Sequence, residues 1–313
     1  MTEATRKRAA AGSKASRSSS ESAIRESHRF GGLGDLMVHL DGTEEDEVRI
    51  VHGEAIAAMC DAHLAGVYTN LLPDYGMIVP GDAGAAAAAA MLDVEERVRR
   101  EGAEALKRLE ERFSRLGVRN ELRRIDESPG AMARSVAIEA RWSDLFVATC
   151  PYRQNASAGW DDVVEAVLFE CGHSVYFVPP GSRPRRKLAR VLVAWTDTRE
   201  AARAIAEALP FLRAAADVEI VAVNGSGQKK ETRGYNAVDI AAHLDRHGVK
   251  VAIRPVDKGK RSVGEALLEE ARHRSADLLV MGAYGHSRWR EWIMGGTTRE
   301  MLASAEVPVL MAH

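Results

Sequence analysis

The strongest constraint on this chain is an alternation written into it twice. Short apolar runs occupy Asp35–Leu40, Ala65–Thr69, Val118–Ile125, Asp144–Ala148 and His173–Val178, with helical spacing of apolar residues over 48–64, 94–116, 131–141 and 160–171 between them. The order returns as runs at Arg190–Trp195, Val218–Val223, Val249–Val256, Asp277–Met281 and Val307–Met311, separated by helical patterns over 198–214, 237–247, 263–273 and 298–304. Strands that alternate with helices at this spacing predict parallel sheets covered by helices on both faces. The expected fold class is α/β, as two tandem open five-stranded units.

At 313 residues the chain exceeds the usual size of one core, which agrees with two units. The boundaries read as a tail over 1–34, a first domain over 35–181, a linker over 182–189 and a second domain over 190–313. The first 30 residues carry seven Lys or Arg, seven Ser and three Glu with few large apolar residues, too little to offset chain entropy, so a disordered tail is expected. Ser182–Lys187 combines Pro184 with a basic run and reads as a solvated hinge, with phosphate binding as the rival reading. Asp41 corresponds to Thr196 and Asp144 to Asp277. The first interval is 22 residues longer, mainly in the Pro/Gly/Ala stretch 70–92, read as a loop.

Charge and cysteine content narrow the function classes. A formal net charge of -2 supplies no field to attract nucleic acid or an anionic membrane. No apolar run approaches the roughly 20 residues that span a bilayer, and the N-terminus lacks the apolar core of a secretory signal. Three cysteines without paired or metal-like spacing suit a reducing, cytoplasmic setting.

The chemistry concentrates in Met281-Gly282-Ala-Tyr-Gly285-His286-Ser-Arg-Trp-Arg-Glu-Trp-Ile-Met-Gly295-Gly296-Thr297-Thr298, which follows a strand and opens a helix. Ligands of open α/β sheets bind at the carboxyl ends of strands, and a helix N-terminus offers unpaired N–H groups to an anion. Glycines let backbone approach phosphate oxygens closely, and Thr297 and Thr298 add hydroxyls. A ligand-free reading stands beside this one: Thr297 with Glu300 also forms a capping box, and glycines after a strand serve as turns.

At these residues the chain resembles the universal stress protein family. Its nucleotide-binding members carry Gly, two residues, Gly, nine residues, Gly, then Ser or Thr, and Gly282, Gly285 and Gly295 reproduce the glycine spacing. Val307-Pro-Val-Leu resembles the family's closing strand. The resemblance covers residues 190–313 and, more weakly, 35–180. It implies a Rossmann-like, adenine nucleotide alpha hydrolase-like fold and a stress-response switch. The implied ligand is ATP or a related adenine nucleotide, with Mg, on Thr196, Val223, Met281, Gly282, Gly285, His286, Gly295, Gly296, Thr297 and Thr298. It also implies a homodimer through the sheet-edge C-terminal strands, or a pseudo-dimer of the two domains. Two departures count against the nucleotide: Gly296 stands where the family has Ser or Thr, and Thr196 replaces its acidic residue after strand one. In the first repeat, Asp41-Gly42-Thr43 resembles the family's Asp-Gly-Ser, yet Thr149–Ser157 lacks the glycines. That repeat is expected to be empty, with Asp41 a turn or cap residue.

Hydrolysis of ATP is expected to be slow at most, because no general base is recognisable. The rival function is a nucleotide-free dimerisation and interaction scaffold. His243 and His247, four apart on a helix, are the one metal-like pair and read as an exposed face. Cys150 reads as a small buried hydrophobe.

Overall fold

The computed structural model describes residues 32–74, 84–152, 159–185, 187–224, 234–283 and 296–313, so the N-terminal tail lies outside the described residues. The first half supplies strands β1 (Asp35–Leu40), β2 (His63–Leu71), β3 (Asn120–Glu127), β4 (Leu145–Thr149) and β5 (Ser174–Val178). Its helices are α1 (Glu45–Cys60), α2 (Gly84–Phe113), α3 (Pro129–Ala140) and α4 (Trp160–Glu170). The second half adds β6 (Arg190–Ala194), β7 (Asp217–Asn224), β8 (Val251–Asp257), β9 (Leu278–Gly282) and β10 (Val309–Ala312). Its helices are α5 (Arg199–Ala214), α6 (Gly234–Arg246), α7 (Val263–His273) and α8 (Gly296–Ser304).

Instead of two separate sheets, the strands form one of ten, in the order β3-β2-β1-β4-β5-β10-β9-β6-β7-β8. Neighbours are parallel except at the centre, where β5 and β10 run antiparallel with Val309 opposite Phe177 and Met311 opposite Val175. β5 and β10 are each paired on both sides, so the C-terminal edges are used up inside one chain. Of the two dimer expectations, the pseudo-dimer is the arrangement present. The free edges are β3, whose sequence Asn-Glu-Leu-Arg-Arg-Ile-Asp-Glu is charged, and β8, which contains Pro255. Charge and proline blunt edge-to-edge association.

Burial follows from the strand sequences. β4, β5 and β10 are buried along their whole length and are apolar throughout or nearly so, as strands covered on both faces must be. One core joins α1, α2, α5 and α6 to one face, and a second joins α3, α4, α7 and α8 to the other. Both cores run through the join. Tyr176 of β5 stacks on Phe211 of α5 with ring centroids 5.8 Å apart.

Each half also starts in the same way. Asp144 Oδ2 accepts the N–H groups of Gly34 and Asp35 at 2.7 and 3.0 Å, while Asp277 Oδ2 accepts those of Ala189 and Arg190 at 2.6 and 3.1 Å. Arg185, within the linker read as a solvated hinge, lies 3.3 Å from Asp277 Oδ1.

The sequence reading differs from the structure in two informative places. The run Ala85–Ala90, read as loop, is helical from Gly84 because alanine has the highest helix propensity. Thr297 lies inside helix α8, which begins at Gly296, and Glu300 is engaged elsewhere. Its carboxylate accepts the Ser262 hydroxyl at 2.7 Å, and the capping box occurs instead at Ser262 with Glu265. Among the described residues, no helix is long and apolar enough to cross a membrane.

Candidate functional site

An open sheet has a crevice where successive connections leave a strand in opposite directions. Here that happens twice, between β1 and β4 in the first half and between β6 and β9 in the second. The two crevices differ in what fills them.

The first crevice is closed by its own side chains. Arg49, in α1 and 1% exposed, spans the end of β1 with Nη2 at 2.6 Å from Asp41 Oδ1 and 2.5 Å from Asp46 Oδ1. Asp46 further accepts the backbone N–H groups of Asp41 and Gly42 at 3.0 and 2.9 Å, which fixes the turn where Gly42 adopts φ +80°. Asp41 accepts the N–H and hydroxyl of Thr43. Asp41 is therefore a turn residue, as expected, and also one arm of a buried ion pair.

His39 lies inside the same network. Arg49 Nη1 is 3.2 Å from His39 Nδ1. A guanidinium only donates, so Nδ1 accepts and the imidazole proton sits on Nε2, which donates to Thr69 Oγ1 at 2.9 Å. Thr69 then donates to the Leu40 carbonyl. Burial first, and the Arg49 charge second, push the His39 pKa down to about 3, so the ring is neutral. Burial raises the Asp46 carboxyl to about 6 in spite of Arg49, and the nearby Asp41 charge adds to that rise. Burial also acts upward on Asp41, but Arg49 overrides it and holds that carboxyl well below its ordinary value. Trp160, the first residue of α4, stacks on His39 with centroids 4.0 Å apart and donates its indole N–H to the Thr149 carbonyl at 3.1 Å.

Among the described residues, the second crevice lacks this filling. β1 pairs Asp35 with His63, and β6 pairs Arg190 with Asp217. Counting from these residues, His39, Asp46 and Arg49 correspond to Ala194, Ala201 and Ala204, and Thr69 corresponds to Val223. Trp160, opening α4, has Gly296 opening α8 as its counterpart. Aromatic and charged groups are thus replaced by small or aliphatic ones.

Several residues proposed from the sequence meet at this second crevice. Ala194 pairs with Met281 across β6–β9, and the Trp195 N–H donates to Val221 O at 2.9 Å, placing exposed Thr196 at the strand ends with Val223. Helix α8 starts on the same side of the sheet, because it leads back to β10, which is parallel to β9. Its first turn holds exposed Gly296, half-buried Thr297 and buried Thr298. Gly285, His286 and Gly295 lie outside the described residues.

Gly282 has a packing role independent of any ligand. A Cβ there would stand 2.5 Å from Ala201 N and 2.7 Å from Glu200 C, so the end of β9 touches the first turn of α5 backbone to backbone. Thr198 caps that turn by accepting Ala201 N–H at 3.2 Å. His243 and His247 sit on α6 and just after it with ring centroids 4.6 Å apart, and no group of three or more potential metal ligands occurs among the described residues. Burial pushes the Cys150 thiol up to about 12, in keeping with its reading as a small hydrophobe.

The closed network escaped the sequence reading, although one signal pointed to it. Arg49 sits between Val48 and Ile50 on the inward face of α1, where a cation needs buried carboxylate partners.

Fold and crevices together define an α/β protein of two doubly wound halves on a shared sheet, the first crevice filled by its own side chains and the second bordered, among the described residues, by small or aliphatic ones. Residues 187–313 match the family described as the universal stress protein family. A universal stress protein of Synechocystis sp. is 44% identical over 46 residues, a match that spans 15% of this chain and 16% of that protein. A universal stress protein structure from Archaeoglobus fulgidus DSM 4304 superposes with a TM-score of 0.64 at 15% identity, covering 89% of this chain and 97% of that one. A functionally unknown protein from Pseudomonas aeruginosa PAO1 gives 0.54 at 14% identity, covering 90% and 92%. The family match is confined to the second half, and both halves share the fold of those structures.

Proposed function

We propose that the protein is a stress-response switch whose second half binds ATP or a related adenine nucleotide, with Mg, one per chain. The carrying observation is the contrast between the crevices. Trp160, His39 and Arg49 fill the first, while alanines and Gly296 stand at the matching positions of the second. Phosphates would lie at the N-terminus of α8, where unpaired N–H groups and the Thr297 hydroxyl favour an anion. Thr196 would offer one neutral hydrogen bond on the ribose or adenine side.

Titration calorimetry with ATP and Mg on the wild type and Thr297→Glu tests this. A carboxylate at a helix N-terminus favours the helix but repels phosphate, so the variant should fold normally and bind at least about tenfold more weakly. Wild type without binding heat, or a variant that binds equally well, refutes the reading.

The scaffold reading draws on Gly282, whose contact with α5 explains that glycine without a ligand. A wild type that binds no nucleotide would favour it.

A further inference from the structure

Helix α4 is fixed at one end by the filled first crevice and reaches the second-half site in two places. Phe169 meets the ring of His313 edge-on, with centroids 4.7 Å apart and planes at 76°. His313 Nδ1 lies 3.2 Å from the Ala283 carbonyl, and the Ala283 N–H donates to Ala312 O at 2.8 Å. A carbonyl only accepts, so the His313 ring donates here. Phe169 thereby presses on the side chain that holds the backbone directly after Gly282.

The second place is the first turn of α8. The Arg299 guanidinium sits over the ring of Tyr152, 5.3 Å from its centroid, and the Tyr152 hydroxyl donates to Glu165 Oε1 of α4 at 2.5 Å. Trp160 anchors the start of the same helix on His39 and Thr149. One helix of the first half is therefore linked, through His313 and through Tyr152 with Arg299, to both the strand end and the helix start that border the second-half crevice.

We infer that the first half acts as a positioning element for the second-half site, with Phe169 holding Ala283 through His313 and Tyr152 holding the first turn of α8 through Arg299. Phe169 and Tyr152 are positioning residues, since neither borders the crevice itself. The bracing is a property of the ligand-free chain. It rests on the nucleotide reading only for the identity of the ligand that feels it.

Amide hydrogen exchange on the full ligand-free chain tests the bracing. An edge-on aromatic pair contributes enough that Phe169→Ala should speed exchange of the Ala283 amide by about two- to tenfold. Tyr152→Ala should speed the Glu300 and Met301 amides by about two- to fivefold, whereas Tyr152→Phe, which keeps the ring over Arg299, should restore most of the protection. The Val67 amide in β2 serves as the unaffected reference. Unchanged rates at Ala283 and in α8 overturn the inference, as does a Tyr152→Phe variant as fast as Tyr152→Ala. ATP titration of the same variants is read separately. A wild type that binds no ATP but shows the exchange pattern refutes the nucleotide reading and upholds the bracing.

Discussion

Replacing Arg49 by methionine keeps the length and apolar stem of the side chain while removing the cation that Asp41 and Asp46 share. Breaking a buried ion pair by deleting one partner costs about 3–5 kcal/mol. Proton uptake sets a ceiling. Neutralising a carboxyl from its ordinary value of 3.8 costs about 4 kcal/mol at pH 7 and about 2 kcal/mol at pH 5. In the wild type the two carboxylates pull in opposite directions. The raised Asp46 contributes stability below about pH 4 that is lost as pH rises through about 6, and the depressed Asp41 contributes stability above about pH 4 that is lost as pH falls. Without Arg49 burial acts upward on both carboxyls with no cation to oppose it, so the variant suffers most at neutral pH. The expected loss is about 3–4 kcal/mol at pH 7, shrinking to about 2 kcal/mol at pH 5. Urea unfolding followed by tryptophan fluorescence at the two pH values measures it. A loss under about 1 kcal/mol at pH 7, or one that grows on acidification, would refute the assignment of Arg49 as the keystone of the closed crevice.

Three further outcomes follow from the same geometry. Thr196→Asp restores a charged acceptor at the end of β6 and should tighten ATP binding about fivefold by calorimetry; equal or weaker binding contradicts the placement of Thr196. Gly282→Ala places a Cβ 2.5 Å from Ala201 N, so thermal unfolding should register a loss of about 1–3 kcal/mol even without nucleotide, and an unchanged midpoint would deny that contact. Glu219, buried in β7, accepts from Arg254 and Arg274; burial pushes its carboxyl up, but these bonds prevail and hold it below its ordinary value. Its stabilising contribution is present above about pH 4.5 and lost as pH falls, so the deficit of Glu219→Gln, about 1–3 kcal/mol at pH 7, should narrow toward pH 3; a deficit that is flat with pH counts against the pairing.

Much of the architecture was legible because parallel strands covered on both faces must be apolar along their length, as Leu145–Thr149 and Ser174–Val178 nearly are. The Asp144 and Asp277 correspondence was legible too, and both carboxylates make the same two backbone bonds. Joining of the halves into one sheet was not, since nothing in Val309–Ala312 states whether its free edge meets β5 of its own chain or another copy. The helix start at Gly84 was hidden by the Pro and Gly residues before it. At the site, glycine spacing pointed to the end of β9, yet the meaning of Gly282 changed: its missing Cβ leaves room for the backbone of α5. The filled crevice was unreadable because His39, Arg49, Thr69 and Trp160 are far apart in sequence and meet only once β1, α1, β2 and α4 are assembled.

The proposed function requires one nucleotide per chain, held by the second half alone. Native mass spectrometry of the full chain with ATP and Mg tests it most directly, on the wild type and on Thr297→Glu. A single nucleotide adduct per chain that disappears in the variant is the expected result. No adduct on the wild type, or two adducts per chain, would contradict it.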